Sequence, residues 1–220
     1  MNISSNVIKN KTETNAPQTR TDLPNYLNFL KKDGLGVEIG VLKGEFSELI
    51  LDESPLRRLF SIDPWLHYEN DYVDINNVEQ KTHNHRYVET VSRLARFANR
   101  SVVLRMESIE ASNMFETESL DFIFIDGNHS YEAVKKDLCN WYRCLKYGGL
   151  MAGHDYLTDS LYVNGEHVEF GVKKAVDEFI QNYPLNVNLN ILDYFTPEDV
   201  KNAPGGCLNV QQFPTWYFIK

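Results

Sequence analysis

Two polar clusters close apolar runs between Asp121 and Tyr156. DFIFID ends on Asp126, with His129 three residues later, and LMAGHD ends on His154 and Asp155. Carboxylates at strand ends suit a divalent cation, and an imidazole with an ordinary pKa near ~6.5 accepts protons at neutral pH. The four groups are candidates for a metal and proton-transfer site. Ordinary loop polarity is the alternative, with His129 serving only to cap the helix that opens at Ser130–Tyr131.

A second candidate is VEIGVLKGEFSELI, an E-x-G-x-x-x-G turn followed by a helix. A dinucleotide fingerprint would read G-x-G-x-x-G. Here only Gly40 and Gly44 remain, which argues against a dehydrogenase. The preceding Glu38 would repel a pyrophosphate but suits an ammonium group. Gly40 would let a nucleoside pass close to the backbone. The N–H groups that open the next helix, with Ser47 nearby, could bind a carboxylate. An amino acid joined to a nucleoside is S-adenosylmethionine. Asp63, at the end of the next strand, is placed to accept from two ribose hydroxyls. In RMES, Met106 would pack on adenine, with Glu107 and Ser108 as polar contacts. Taken alone, the glycines are equally those of a tight strand–helix turn.

Alternating elements must position these groups. GVEIG, RRLFSID, SVVLR, SLDFIFID and LMAGHD read as strands, and SLDFIFID is apolar enough to be buried on both faces. EFSELILDE, HNHRYVETVSRLARFA, SIEASNMF and YEAVKKDLCNWYRCL read as helices. The second of these carries Tyr87, Val91, Leu94 and Phe97 as its apolar stripe, and the fourth carries Val134, Leu138, Trp141, Tyr142 and Leu145. TDLPNYLNFLKK is a short leading helix capped by Thr21 or Asp22, with Pro24 in its first turn. GVKKAVDEFIQNY is amphipathic, and VNLNILDYF and TWYFIK close the chain as an antiparallel pair. The pattern predicts a doubly wound α/β sheet, with ligands beyond the C-terminal strand ends. Glu38, Gly40, Asp63, Asp126, His154 and Asp155 should then share one rim.

Residues 1–20 lack apolar periodicity and read as a flexible arm or a loosely docked lid, ahead of a single domain over 21–220. The polar segment 157–170 is longer than a simple connection and is expected to be a substrate loop or lid. Tyr156, Tyr162, Glu166 and His167 would meet the acceptor there, with PWLHYENDY as the opposite wall. His83 and His85 are two residues apart, a spacing that does not face one way on a helix, so a solvated loop or helix start is expected, with a substrate-facing role as the alternative.

The net charge of −9 argues against nucleic acid or an anionic membrane surface as partner. No run approaches the ~18 apolar residues of a membrane span, and the first residues lack the apolar core of a secretory signal. Cys139, Cys144 and Cys207 form no C-x-x-C pair and read as thiols in a reducing compartment. A cytoplasmic protein is expected, with a homo-oligomer left open.

VEIGVLKGEFS, FSIDPW, MESIEA, FIDGNHSYEAVKKDL, LKYGGLMAGHDY and GVKKAVDEF together resemble class I S-adenosylmethionine-dependent methyltransferases, over roughly residues 35–182. The likeness is to the macrocin O-methyltransferase group, which modifies deoxysugar hydroxyls. The resemblance implies a seven-stranded Rossmann-like sheet with an antiparallel last strand. It maps Glu38, Asp63, Glu107 and Ser108 to the cofactor, and Asp126 and Asp155 to a metal. In related metal-dependent enzymes D-x-x-K or D-x-x-H carries the base, which makes His129 the base candidate. Many such relatives have two acids or Asp-Asn where this chain has His154–Asp155. His154 as a ligand would shift preference from Mg²⁺ toward Mn²⁺; otherwise it points away and leaves that position to water.

The expected activity is metal-assisted O-methylation of a hydroxyl on a sugar, glycan or glycosylated small molecule. A phenolic or catechol-like acceptor is an alternative. A non-heme iron oxygenase using His129, His154 and a carboxylate is another, and a non-catalytic cofactor-binding module is a third.

Overall fold

The computed structural model describes residues 16–69, 74–157, 159–163, 166–182, 187–193 and 213–220, with backbone alone for 159–163 and 166–169. Its strands are β1 (Leu35–Ile39), β2 (Arg58–Ile62), β3 (Ser101–Leu104), β4 (Leu120–Ile125), β5 (Leu145–Gly153), β6 (Asp159–Val163), β7 (Glu166–Phe170), β8 (Asn190–Leu192) and β9 (Thr215–Ile219). The helices are α1 (Leu23–Phe29), α2 (Glu45–Glu53), α3 (Gln80–Leu94), α4 (Ser108–Ser112), α5 (Tyr131–Tyr142) and α6 (Val172–Asn182).

Seven strands form one sheet in the order β3-β2-β1-β4-β5-β9-β8. Strands β1 to β5 run parallel, and β9 pairs antiparallel with both β5 and β8. The expected doubly wound, seven-stranded, mostly parallel sheet is therefore found. All six residues of β4 are buried, because helices cover both faces. Phe122 and Phe124 enter the cluster containing Leu27, Ile50 and Leu94, on the side of α1, α2 and α3. Ile123 and Ile125 enter the other cluster, with Leu138 and Trp141 of α5 and Phe179 of α6. The period of two along a strand divides the core in this way.

The chain order reverses between β1 and β4, whose C-terminal ends lie side by side. Gly40 follows β1 with φ +82°, and a Cβ there would lie 2.0 Å from the Asp126 carbonyl oxygen. On the side where a Cβ would point, what passes close to Gly40 is thus the backbone after β4.

Three expectations need correction, and a fourth narrows. The loop expected over 157–170 contains an antiparallel hairpin, β6 with β7, with Val163 opposite Glu166. The side chains of Tyr162, Glu166 and His167 lie outside the described residues. Helix α5 ends at Tyr142, and Leu145 opens β5, paired with Leu120 across a register shift. Helix α3 starts at Gln80 and buries His83, Thr90 and Leu94, while Val91 is exposed. Its buried face follows the wall it must pack on, and no purely apolar stripe defines it. Finally, the two readings of the arm narrow, for residues 16–20, to the loosely docked one: Ala16, Gln18 and Thr19 are exposed, but Pro17 is buried and the Arg20 N–H donates to the Asp193 carboxylate at 2.8 Å. The rest of the expected arm, 1–15, lies outside the described residues, as do Cys207 and residues 70–72 of the expected wall.

Candidate active site

A cavity of about 650 Å³ opens over the C-terminal ends of β1, β2, β4 and β5. Glu38, Gly40, Asp63, Glu107, Ser108, Asp126, His129, His154 and Asp155 all line it. Three expected residues do not: Met106, Ser47 and Tyr156, whose hydroxyl donates to Asp177 instead. Met106 packs against the core, and Ile109 takes the wall beside Ser108. Ser47 is fully buried behind the wall, where its hydroxyl donates to Glu38 and lies 2.7 Å from the Ser61 hydroxyl.

Glu38 is 2% exposed, and burial pushes its carboxyl up to about 8, with the Ser47 bond opposing and Asp126 adding to the rise. A neutral acid at the end of a buried strand becomes a carboxylate when a cation arrives. Asp63 is held by three backbone donors. The N–H groups of Val41 and Leu42 reach Oδ2 at 2.9 and 3.0 Å, and that of Trp65 reaches Oδ1 at 2.7 Å. Leu42 and Trp65 both sit at positive φ, which aims these donors inward. Most of Asp63's accepting capacity thus fixes the turn after β1, and Oδ1 keeps a lone pair for the cavity. The Tyr68 hydroxyl donates to Glu107 at 2.7 Å across the opening.

The ion cluster occupies the neighbouring rim. Asp155 follows β5 at φ +54°, strained for a residue other than glycine, and is 4% exposed. His129 Nε2 lies 2.9 Å from one of its oxygens and His154 Nδ1 2.9 Å from the other. Burial works against the Asp155 charge, but the two imidazoles outweigh it and hold the carboxyl well below the usual range. The converse holds for the histidines. Burial opposes their charge, yet Asp155, with Asp126, raises both above the ordinary imidazole value, and His129 well above it. Asp126 is the more open member, 3.5 Å from the Arg20 guanidinium, which also stacks over Phe46.

Asp126, His154 and Asp155 each present one ligand atom within 4.8 Å of the others. The buried Nε2 of His154 has no hydrogen-bond partner among the described residues. Two carboxylates and one imidazole, whose Nδ1 faces both, fit a first-row divalent metal. The convergent set holds one imidazole, so the two-histidine arrangement of an iron oxygenase is not what the geometry favours.

Two contributors escaped the leading sequence reading. The Asp74 side chain is 3% exposed and lies 3.2 Å from His129 Nδ1, opposite Asp155. Its signal was faint: an acid in a polar turn, where Asp74 accepts from the Asn76 N–H at 2.6 Å. His83, expected first in solvent, is 8% exposed and lines the cavity in the first turn of α3; its neighbour His85 is exposed as expected. On the acceptor side, Phe170 stacks on His129 with ring centroids 5.6 Å apart, and Phe213 stands edge-on to Phe170.

The family model for a methyltransferase domain matches residues 37–156. An uncharacterized protein of Acanthamoeba polyphaga mimivirus is 26% identical over 136 residues, which cover 61% of this chain and 57% of that relative. The match therefore spans little more than half the length of the viral protein. Among solved structures, an O-methyltransferase from Bacillus cereus in complex with SAH superposes with a TM-score of 0.58 at 15% identity, covering 91% of this chain and 80% of that one. A Staphylococcus aureus protein ascribed to the caffeoyl-CoA O-methyltransferases gives 0.56 at 18% identity, covering 91% and 82%. Spermidine synthase from Thermotoga maritima gives 0.51 at 16% identity, covering 92% and 57%. These likenesses establish a shared fold, and a fold hosts more than one reaction. Among the described residues, no helix is long and apolar enough to cross a membrane.

Proposed function

The chain belongs to the methyltransferase-domain family matched over residues 37–156, and from that premise we propose an S-adenosylmethionine-dependent O-methyltransferase, assisted by a divalent metal, acting on a hydroxyl of a sugar, glycan or glycosylated small molecule. The observation that carries this reading is the convergence of Glu38 and the Asp126–His129–His154–Asp155 cluster on one cavity.

S-Adenosylmethionine supplies an activated methyl group, so the remaining difficulty is the acceptor's proton. Glu38 meets the ammonium of the methionine end as a carboxylate, and Asp63 Oδ1 takes a ribose hydroxyl. The Bacillus cereus neighbour, solved with SAH, supports this cofactor. Asp126, His154 and Asp155 would hold a divalent cation, whose chemistry is to lower the pKa of an acceptor hydroxyl. The carboxylates that now charge His129 would then be shared with that cation, which leaves the imidazole neutral and able to accept a proton. His129 takes the hydroxyl proton at Nε2, and Asp74 at Nδ1 steadies the imidazolium formed. Phe170 and Phe213 offer apolar faces to the C–H face of a sugar ring. A phenolic acceptor stacks on the same rings, and this keeps it as the second reading.

The test is transfer of labelled methyl from S-adenosylmethionine to sugar and catechol acceptors, with Mn²⁺ and with EDTA. Metal-dependent labelling of a sugar hydroxyl supports the proposal. Labelling that ignores EDTA defeats the metal assistance, and labelling of catechols alone selects the second reading.

A further inference from the structure

The purine end of the cavity contains a buried carboxylate that the chemistry above does not use. Asp137 of α5 is 5% exposed and lines the cavity beside Ser108 and Ile109. The Trp141 indole N–H donates to the Ser108 hydroxyl oxygen at 2.8 Å, and the Ser108 hydroxyl donates to Asp137 Oδ1. An indole can only donate, and a hydroxyl has a single proton. The direction of the chain is therefore fixed: Trp141 to Ser108 to Asp137. It ends on a carboxylate whose other oxygen, Oδ2, meets no donor among the described residues. Asp137 lines the cavity, so Oδ2 is left to accept from a donor that enters it.

We propose that Asp137 is a specificity residue that accepts a hydrogen bond from the exocyclic amine of the cofactor's purine, so that the site selects adenine over a 6-oxo purine. The inference rests on the S-adenosylmethionine reading above. An exocyclic amine brings donors to this point, whereas a 6-oxo group brings a lone pair against a carboxylate. Burial pushes Asp137 up to about 6, against the Ser108 bond, so it remains mostly an acceptor at neutral pH. Ser108 has given its proton to Asp137 and one lone pair to Trp141, so it offers a ligand at most one further lone pair, without charge.

The experiment is calorimetric titration of wild type and Asp137→Asn with S-adenosylhomocysteine and with its 6-oxo analogue, S-inosylhomocysteine. Wild type should prefer the adenosyl ligand on the order of 10- to 100-fold, the range of a hydrogen bond to a charged group. Asp137→Asn, whose amide can donate, should lose most of that preference or invert it. An unchanged preference in the variant, or equal affinities in wild type, overturns the inference and leaves the cofactor reading standing. Wild type that binds neither ligand overturns both. Should the variant fail to fold, wild type is titrated with the analogue lacking the 6-amino group. A loss of tenfold or more supports the role, and equal affinity defeats it.

Discussion

His129 and Asp155 meet at 2.9 Å, joining the segment after β4 to the end of β5. Under the proposed function, the contact would make one imidazole both the counter-ion of a metal-ligand carboxylate and the base for an acceptor's proton. Replacing His129 by Gln should lower kcat by roughly 10²- to 10⁴-fold, the usual contribution of a positioned base. S-Adenosylhomocysteine affinity should stay within about twofold. Steady-state kinetics with calorimetry checks both. If Asp126→Ala and His129→Ala leave the protein's biological output unchanged, a non-catalytic cofactor-binding module is the better description.

Asp74 touches the far nitrogen of the same ring. Its carboxylate helps raise the His129 pKa. Asp74→Asn should therefore lower that pKa and shift the acid limb of the kcat/KM profile to lower pH. The plateau should fall roughly 10- to 100-fold as the ring loses its orientation. A limb that stays in place or moves to higher pH contradicts this role.

Metal binding should show as stability. Mn²⁺ at a hundred times its Kd should add about 2.7 kcal/mol, or roughly 5–10 °C in Tm for a domain of this size. Asp126→Ala should abolish the shift. His154→Ala should weaken Mn²⁺ more than Mg²⁺, because nitrogen donors favour the softer ion. Thermal melts with each ion decide.

Glu38 has a folded pKa of about 8 against 4.5 for the free side chain. The folded state therefore holds its proton longer than the unfolded one. Its contribution is fullest below about pH 4.5 and is lost as pH rises through about 8. In the ligand-free protein, the stability difference between wild type and Glu38→Gln should move against wild type over that window by a few kcal/mol, as an order of magnitude. Denaturant melts of both proteins at a series of pH values measure it.

Gly40→Ala places a methyl 2.0 Å from the Asp126 carbonyl, at a φ of +82°. The cost should be roughly 3 kcal/mol or more, since strain and a backbone clash add. A melt of the variant within 1–2 °C of wild type would contradict it.

The sheet was legible in the sequence because its signals are local. FIFI of β4 is apolar as a strand covered on both faces must be, and Gly44 sits at positive φ in the turn it marks. The rim followed from the rule that ligands lie at the C-terminal strand ends. The hairpin of β6 and β7 did carry a signal that was passed over: Asn164–Gly165 between two short alternating runs, a favoured hairpin connection. Asp74 and Asp137 were not legible, and His83 was so only as an alternative. Their roles depend on which distant segment they meet: His129 for Asp74, the wall after β2 for His83, and Ser108 across α4 and α5 for Asp137. Ser47 was read as a ligand group because its place in the turn after β1 suits one, but its helix turns it inward onto Glu38.

The cavity walls come from two different parts of the chain. Glu38, Asp63, Glu107, Asp126, His129, His154 and Asp155 all fall within residues 37–156, the stretch shared with the methyltransferase family. Arg20, Phe170 and Phe213, which line the same cavity, all lie outside it. Under the proposed function, exchanging residues 16–22 or the aromatic pair should therefore alter which acceptor is used while leaving the strand ends in place, so libraries confined to those flanks are the way to select for new acceptors.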